Sequence, residues 1–107
     1  MKIALDYDKT YTLDPEFWED FADLLDNYGH ECRIVTARHQ VKDNIDHKVP
    51  MYEVIYCDGV AKKFICHHVA DWNPDIWIDD KPENINNNGP LTKTQLEEWR
   101  KSPEYNA

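Results

Sequence analysis

The sequence predicts a small α/β fold, a three-layer Rossmann-like arrangement in which helices cover both faces of a parallel sheet. Three observations lead there. Short apolar runs alternate with helix-forming stretches, the pattern of successive βαβ units. Two of those runs end in acidic residues: Asp6-Tyr7-Asp8 follows residues 1–5, and Asp79-Asp80 follows residues 75–78. The chain has 107 residues, of which 41% are hydrophobic, enough for one modest core and too few for two domains.

The elements can be taken in order. Met1-Lys2-Ile3-Ala4-Leu5 reads as a short buried strand, followed by a turn over residues 9–13. Asp14-Pro15-Glu16 has the form of a helix start, with Asp14 as cap and Pro15 at the first helical position. Phe17, Phe21, Leu24 and Leu25 fall on one stripe of that helix, and Tyr28-Gly29 stops it. Cys32-Arg33-Ile34-Val35 is a second strand, with Thr36-Ala37-Arg38 at its end. A weaker helix is expected over residues 40–46. Pro50 breaks the chain, and β-branched and aromatic residues over 52–57 predict a third strand. Asp58-Gly59 is a turn, residues 60–69 a third helix, and Asn73-Pro74 leads into the fourth strand. The run Asn86-Asn87-Asn88-Gly89-Pro90 reads as a linker. Thr92 to Gln95 resembles a capping box, so a short helix is expected over 93–101 and a frayed end over 102–107. The expectation is one domain over 1–107, with a core of about 1–85 and a linker and short helix over 86–107.

The net charge is −9, which opposes broad binding to nucleic acid or anionic membrane because such binding needs basic surface. A phosphorylated substrate stays possible, since a bound metal ion reverses the local field. No apolar stretch is long enough to span a membrane, and Asp6 and Asp8 interrupt what would be the apolar part of a secretory signal. Cys32, Cys57 and Cys66 are odd in number and lack CxxC spacing. They read as reduced thiols, and the expected location is cytoplasmic.

Parallel strands that run the same way end on one edge, where ligands sit in open α/β folds. Asp6, Asp8, Asp79 and Asp80 are therefore expected to crowd one crevice. Like charges about 4 Å apart repel by roughly 4 kcal/mol at an effective dielectric near 20, so such a cluster must hold protons or a cation. Hard oxygen donors suit Mg²⁺. Asp6 and Asp8, two apart on an extended segment, would point the same way. One carboxylate could attack phosphorus while the other handles a proton. Thr10 could hold the loop by a hydrogen bond. Thr36 and the N–H groups after it could grip phosphate oxygens, and Lys62 or Lys63 could bring an ammonium to the reacting centre.

These residues make the chain resemble the haloacid dehalogenase superfamily of phosphohydrolases. The resemblance covers roughly residues 1–85. It is carried by Asp6-Tyr7-Asp8-Lys9-Thr10 as the DxDxT motif, Ile34-Val35-Thr36-Ala37-Arg38 as the hydroxyl motif, Lys62 or Lys63 as the lysine motif and Trp77-Ile78-Asp79-Asp80 as the acidic motif. It implies an Mg²⁺-dependent phosphatase acting on phosphomonoesters through an aspartyl-phosphate. Asp6 would be nucleophile and metal ligand. Asp8 would donate and accept the proton and bind the metal through its backbone carbonyl. Thr36, with Ala37 and Arg38, would bind the phosphoryl group, and Lys62 would steady it. Asp80 would be the main acidic-motif ligand, supported by Asp79. The family's sheet order places the strand of Asp6 between those of Thr36 and Asp79. Lys9 stands where many members have Gly. The intervals between motifs leave no room for a cap domain, so the resemblance is to a capless member.

Two rival readings fit part of this pattern: a non-catalytic relative that binds metal or a phosphorylated partner, and a receiver-like domain, which usually carries its phosphorylated Asp on a later strand. Cys66-His67-His68 suggests zinc weakly, because adjacent His residues on a helix diverge and no second Cys/His group has ligand spacing. Trp72 or Trp99 could line the site, although core packing is the simpler role for both and for Trp18 and Trp77. The sequence does not choose among a nucleotide, a nucleic-acid phosphate end, a sugar phosphate and a phosphoprotein. Lys9, Arg38, Lys42 and Lys81 could form a local basic patch.

Overall fold

The computed structural model describes residues 1–86. Four strands, β1 Lys2–Leu5, β2 Glu31–Thr36, β3 Glu53–Tyr56 and β4 Ile76–Ile78, form one all-parallel sheet in the order β3-β2-β1-β4. Three α-helices accompany them among the described residues: α1 Pro15–Asn27, α2 Lys62–His68 and α3 Glu83–Asn86. The expected helix over 93–101 and the frayed end lie outside the described residues.

Side chains alternate across the sheet with a period of two, so the strands serve two cores. Ala4, Val35 and Ile55 face α2 and pack with Cys57, Ile65, Cys66 and Trp72. Leu5 and Ile34 face the other way and pack with Tyr7, Tyr11, Ile45, Val49 and Tyr52, beneath Trp18 and Ala22 of α1. Leu5 and Ile34 are fully buried, each contributing about 1.5–3 kcal/mol. A doubly covered parallel sheet is a Rossmann-like layout.

Helix α1 starts as the sequence predicts: the Asp14 side chain accepts from the Phe17 N–H at 3.3 Å, and Pro15 is the first helical residue. Its inward stripe differs from the expected one. Phe17 and Leu24 are more than half exposed, and the residues meeting the core are Trp18, Ala22 and Leu25. Trp18 wins the inward position because its indole also finds a partner, donating from Nε1 to the Thr10 carbonyl at 3.0 Å. Phe17 and Phe21 then pack edge-on against its ring, at 4.8 and 5.4 Å between centroids.

The helix expected over 40–46 is absent. Turns fill that stretch, followed by a 3-10 helix at Asp46–Lys48. Local side chains take the backbone groups that a helix would need. His39 Nδ1 accepts from the N–H of Val41 and of Lys42, Asn44 donates to the Gln40 carbonyl, and Asn44 Oδ1 accepts from the Asp46 N–H. Helix α2 begins at Lys62, two residues later than expected, because Asp58 and Gly59 both adopt positive φ. Helix α3 is an element that the linker reading passed over.

Cys32, Cys57 and Cys66 are free thiols. Burial pushes Cys32 and Cys66 up to about 12, so they remain protonated. No helix among the described residues is long and apolar enough to cross a membrane.

Candidate functional site

Register decides which side chains meet. Leu5 of β1 pairs with Ile78 of β4, so Asp6 and Asp79 leave the sheet level with each other, and the Asp6 N–H donates to the Ile78 carbonyl at 2.9 Å. Leu5 and Ile78 pack on the α1 side. By alternation, Asp6 and Asp79 point to the α2 side. The first residue of α2 is Lys62, whose side chain is 2% exposed. Its Nζ donates to Asp6 Oδ1 at 2.7 Å and to Asp79 Oδ2 at 2.6 Å. Lys63, one step round the helix, is exposed. The lysine that reaches the acids is therefore Lys62.

Asp6, Asp79 and Asp80 bring carboxylate oxygens within 4.8 Å of one another. Asp6 is 7% exposed. Burial pushes its carboxyl from 3.8 up to about 6; the neighbouring Asp80 adds to the rise and the Lys62 ammonium opposes it. Burial works against the charge on Lys62, but its bonds to Asp6 and Asp79 prevail, and its pKa is raised. Thr10 Oγ1 donates to Asp6 Oδ2 at 3.3 Å, tying the loop to the carboxylate.

The Asp8 carboxylate lies outside this group of three, although Asp8 lines the same cavity as Asp6 and Asp80. The chain turns at Tyr7, so strand alternation no longer holds at Asp8. Its carboxylate accepts a forked pair of bonds from Arg38, Nε at 2.9 Å and Nη2 at 2.7 Å. Arg38 holds the Asp8 carboxyl below its usual range. The guanidinium also lies over the Tyr7 ring, 5.2 Å from its centroid. Thr36, at the end of β2, is fully buried, and its Oγ1 accepts from the Arg38 N–H at 3.2 Å.

A cavity of about 170 Å³ opens beside the cluster. Buried Asp6 and Lys62 line it together with half-buried Asn84 and with Asp8, Lys9, Ala37, Asp80 and Lys81, whose exposure places them at its mouth. Thr36 is buried and is not in the lining. Sequence reasoning passed over Asn84, hidden in an asparagine-rich stretch with no spacing signal, and gave Tyr7 no role. Lys42 is not in the lining. Trp72 is buried in the α2-side core, and Trp99 lies outside the described residues. Cys66 is buried, while His67 bonds to Asn73 and both His67 and His68 are exposed. The three residues form no ligand group among the described residues.

A larger cavity, about 460 Å³, sits at the opposite edge of the sheet, near Glu31, Arg33 and Glu53. Its arginine is already paired with both glutamates. The smaller cavity is the one beside a cluster of carboxylates, the group of Asp6, Asp79 and Asp80. With Asp6, Asp79 and Asp80 ionised, three negative charges face the single positive charge of Lys62. An all-carboxylate set of this kind fits a hard divalent cation such as Mg²⁺ and lacks the nitrogen or sulfur donors that zinc prefers.

No family model, curated protein or solved structure matches this chain.

Proposed function

We propose that this protein is a capless, Mg²⁺-dependent phosphohydrolase of the haloacid dehalogenase type, acting on phosphomonoesters through an aspartyl-phosphate on Asp6. The observation that carries this reading is the Lys62 ammonium bonded to both Asp6 and Asp79, beside Asp80. The sheet order supports it, because β1 lies between β2 and β4, the order that the resemblance implies.

In this mechanism an Asp6 oxygen attacks phosphorus, and the bond from phosphorus to the leaving oxygen breaks. Asp8 gives that oxygen a proton. Water then attacks phosphorus, Asp8 takes its proton back, and phosphate leaves Asp6 as a free carboxylate. Lys62 keeps Asp6 oriented and sets positive charge beside the transferring group. Asp6, Asp79 and Asp80 would hold Mg²⁺, which supplies further positive charge at the phosphoryl oxygens. Ala37, in the lining, and Arg38, bonded to Asp8 of the lining, bind the phosphoryl group, while Thr36 fixes the Arg38 backbone. Asp8 reaches its role when Arg38 releases it.

A second reading, a binding protein without turnover, is favoured by the same Arg38 clamp, which occupies the proton-handling carboxylate. Assay of an aryl phosphate with and without Mg²⁺ separates the two. Mg²⁺-dependent release of phosphate is the outcome expected; bound Mg²⁺ without turnover would favour the binding protein.

A further inference from the structure

We propose that Lys9 and Lys81 form a receptor for a second anionic group, so that the preferred substrates are small phosphomonoesters whose leaving group carries another phosphate. This rests on the phosphohydrolase reading for the reacting group; the second group rests on separate observations. The cavity, at about 170 Å³, is smaller than the roughly 300 Å³ at which pockets begin to enclose a drug-sized ligand. It accepts a phosphoryl group and leaves the rest of the substrate at the mouth. Two lysines stand there, one from the loop after β1 and one from the segment after β4.

Among the described residues neither ammonium is in an ion pair, whereas Arg33, Arg38 and Lys62 all are. Both lysines are fixed through their backbones. The Lys9 N–H donates to Thr12 Oγ1 at 2.9 Å, and the Lys81 N–H donates to Asp79 Oδ1 at 2.9 Å. Lys9 also sits at φ 60°, a left-handed conformation that glycine adopts freely and a lysine does not. Backbone strain of this kind persists where the surrounding structure fixes it, and it collects at ligand-binding positions. In a chain of net charge −9, two lysines with no ion-pair partner among the described residues, at the mouth of a site built on carboxylates, draw in a compact dianion. The remaining acidic surface repels a long polyanion.

The test compares 1,3-propanediol bisphosphate with propyl phosphate, which differ by one phosphate. Calorimetric titration of Asp6→Asn protein, with Mg²⁺ present, reads binding without turnover. The bisphosphate is expected to bind about 20-fold tighter, with about fivefold lost in Lys9→Gly and again in Lys81→Ala, and Lys9→Arg retaining the preference. Equal affinities, a preference untouched by both lysine variants, or no measurable binding of the bisphosphate would overturn the proposal. A strand of ten nucleotides ending in a 3′ phosphate that binds tighter than the bisphosphate would overturn the restriction to small ligands. Wild-type turnover of the same pair tests the parent reading separately. Binding preference without turnover removes the phosphatase and keeps the receptor; turnover without preference does the reverse.

Discussion

Lys62 Nζ donates to Asp6 Oδ1 at 2.7 Å across 56 positions of sequence, with side chains 2% and 8% exposed. That bond joins the start of α2 to the end of β1, and the second bond to Asp79 joins β4 as well. Removing the ammonium leaves two buried carboxylates without their counter-charge. Lys62→Met is therefore expected to cost about 3–5 kcal/mol, and Lys63→Ala less than about 0.5 kcal/mol. Urea unfolding measures both; equal effects would contradict this arrangement.

Asp6 opposes folding when ionised, because its carboxyl is raised from 3.8 to about 6. Below pH 4 folded and unfolded chains both hold the proton, and there is no cost. As pH rises toward 6 the unfolded chain releases its proton first, so stability falls; above 6 the cost is constant. Its ceiling is about 3 kcal/mol. Metal-free Asp6→Asn is expected to melt above wild type at pH 7, with the two curves converging toward pH 4. A variant less stable than wild type at pH 7 would show that the Lys62 bond outweighs burial.

The Asp8–Arg38 pair behaves in the opposite sense. A lowered carboxylate pKa adds stability that is present above the ordinary value and is lost as pH falls through the folded one. The Asp8 side chain is 51% exposed, so the contribution is at most about 1 kcal/mol. Nuclear magnetic resonance titration of the Asp8 carboxyl carbon should show its pKa rising in Arg38→Ala. No movement would mean that Arg38 is not its partner in solution.

Lys9→Gly should raise stability by about 1 kcal/mol through relief at φ 60° while weakening binding of the bisphosphate. A loss of stability would mean that this lysine makes contacts that outweigh its strain.

The sheet was legible because each strand is a compact apolar run bounded by turn residues, and the acidic ends marked its carboxyl edge. Asp6, Asp79, Asp80 and Lys62 could be placed together because strand register and one helix start fix them. Asp8 lines the same cavity as Asp6 and Asp80, but its carboxylate turns to Arg38 because the two-residue rule assumes an extended chain and the chain turns at Tyr7. The inward face of α1 was misread because Phe17, Phe21 and Leu24 make an apolar stripe one position away from Trp18, whose hydrogen bond to Thr10 no pattern reveals. The stretch over 40–46 has helical composition, but His39 and Asn44 bind its backbone locally, a competition visible only in coordinates.

The central claim is that Asp6 accepts the phosphoryl group. Rapid acid quench during turnover of an aryl phosphate with Mg²⁺, followed by borohydride reduction and peptide mass spectrometry, tests it directly. Conversion of Asp6 to homoserine, lost when Mg²⁺ is omitted, is the predicted result. Steady turnover with Asp6 unmodified and undiminished rates in Asp6→Asn would contradict the claim.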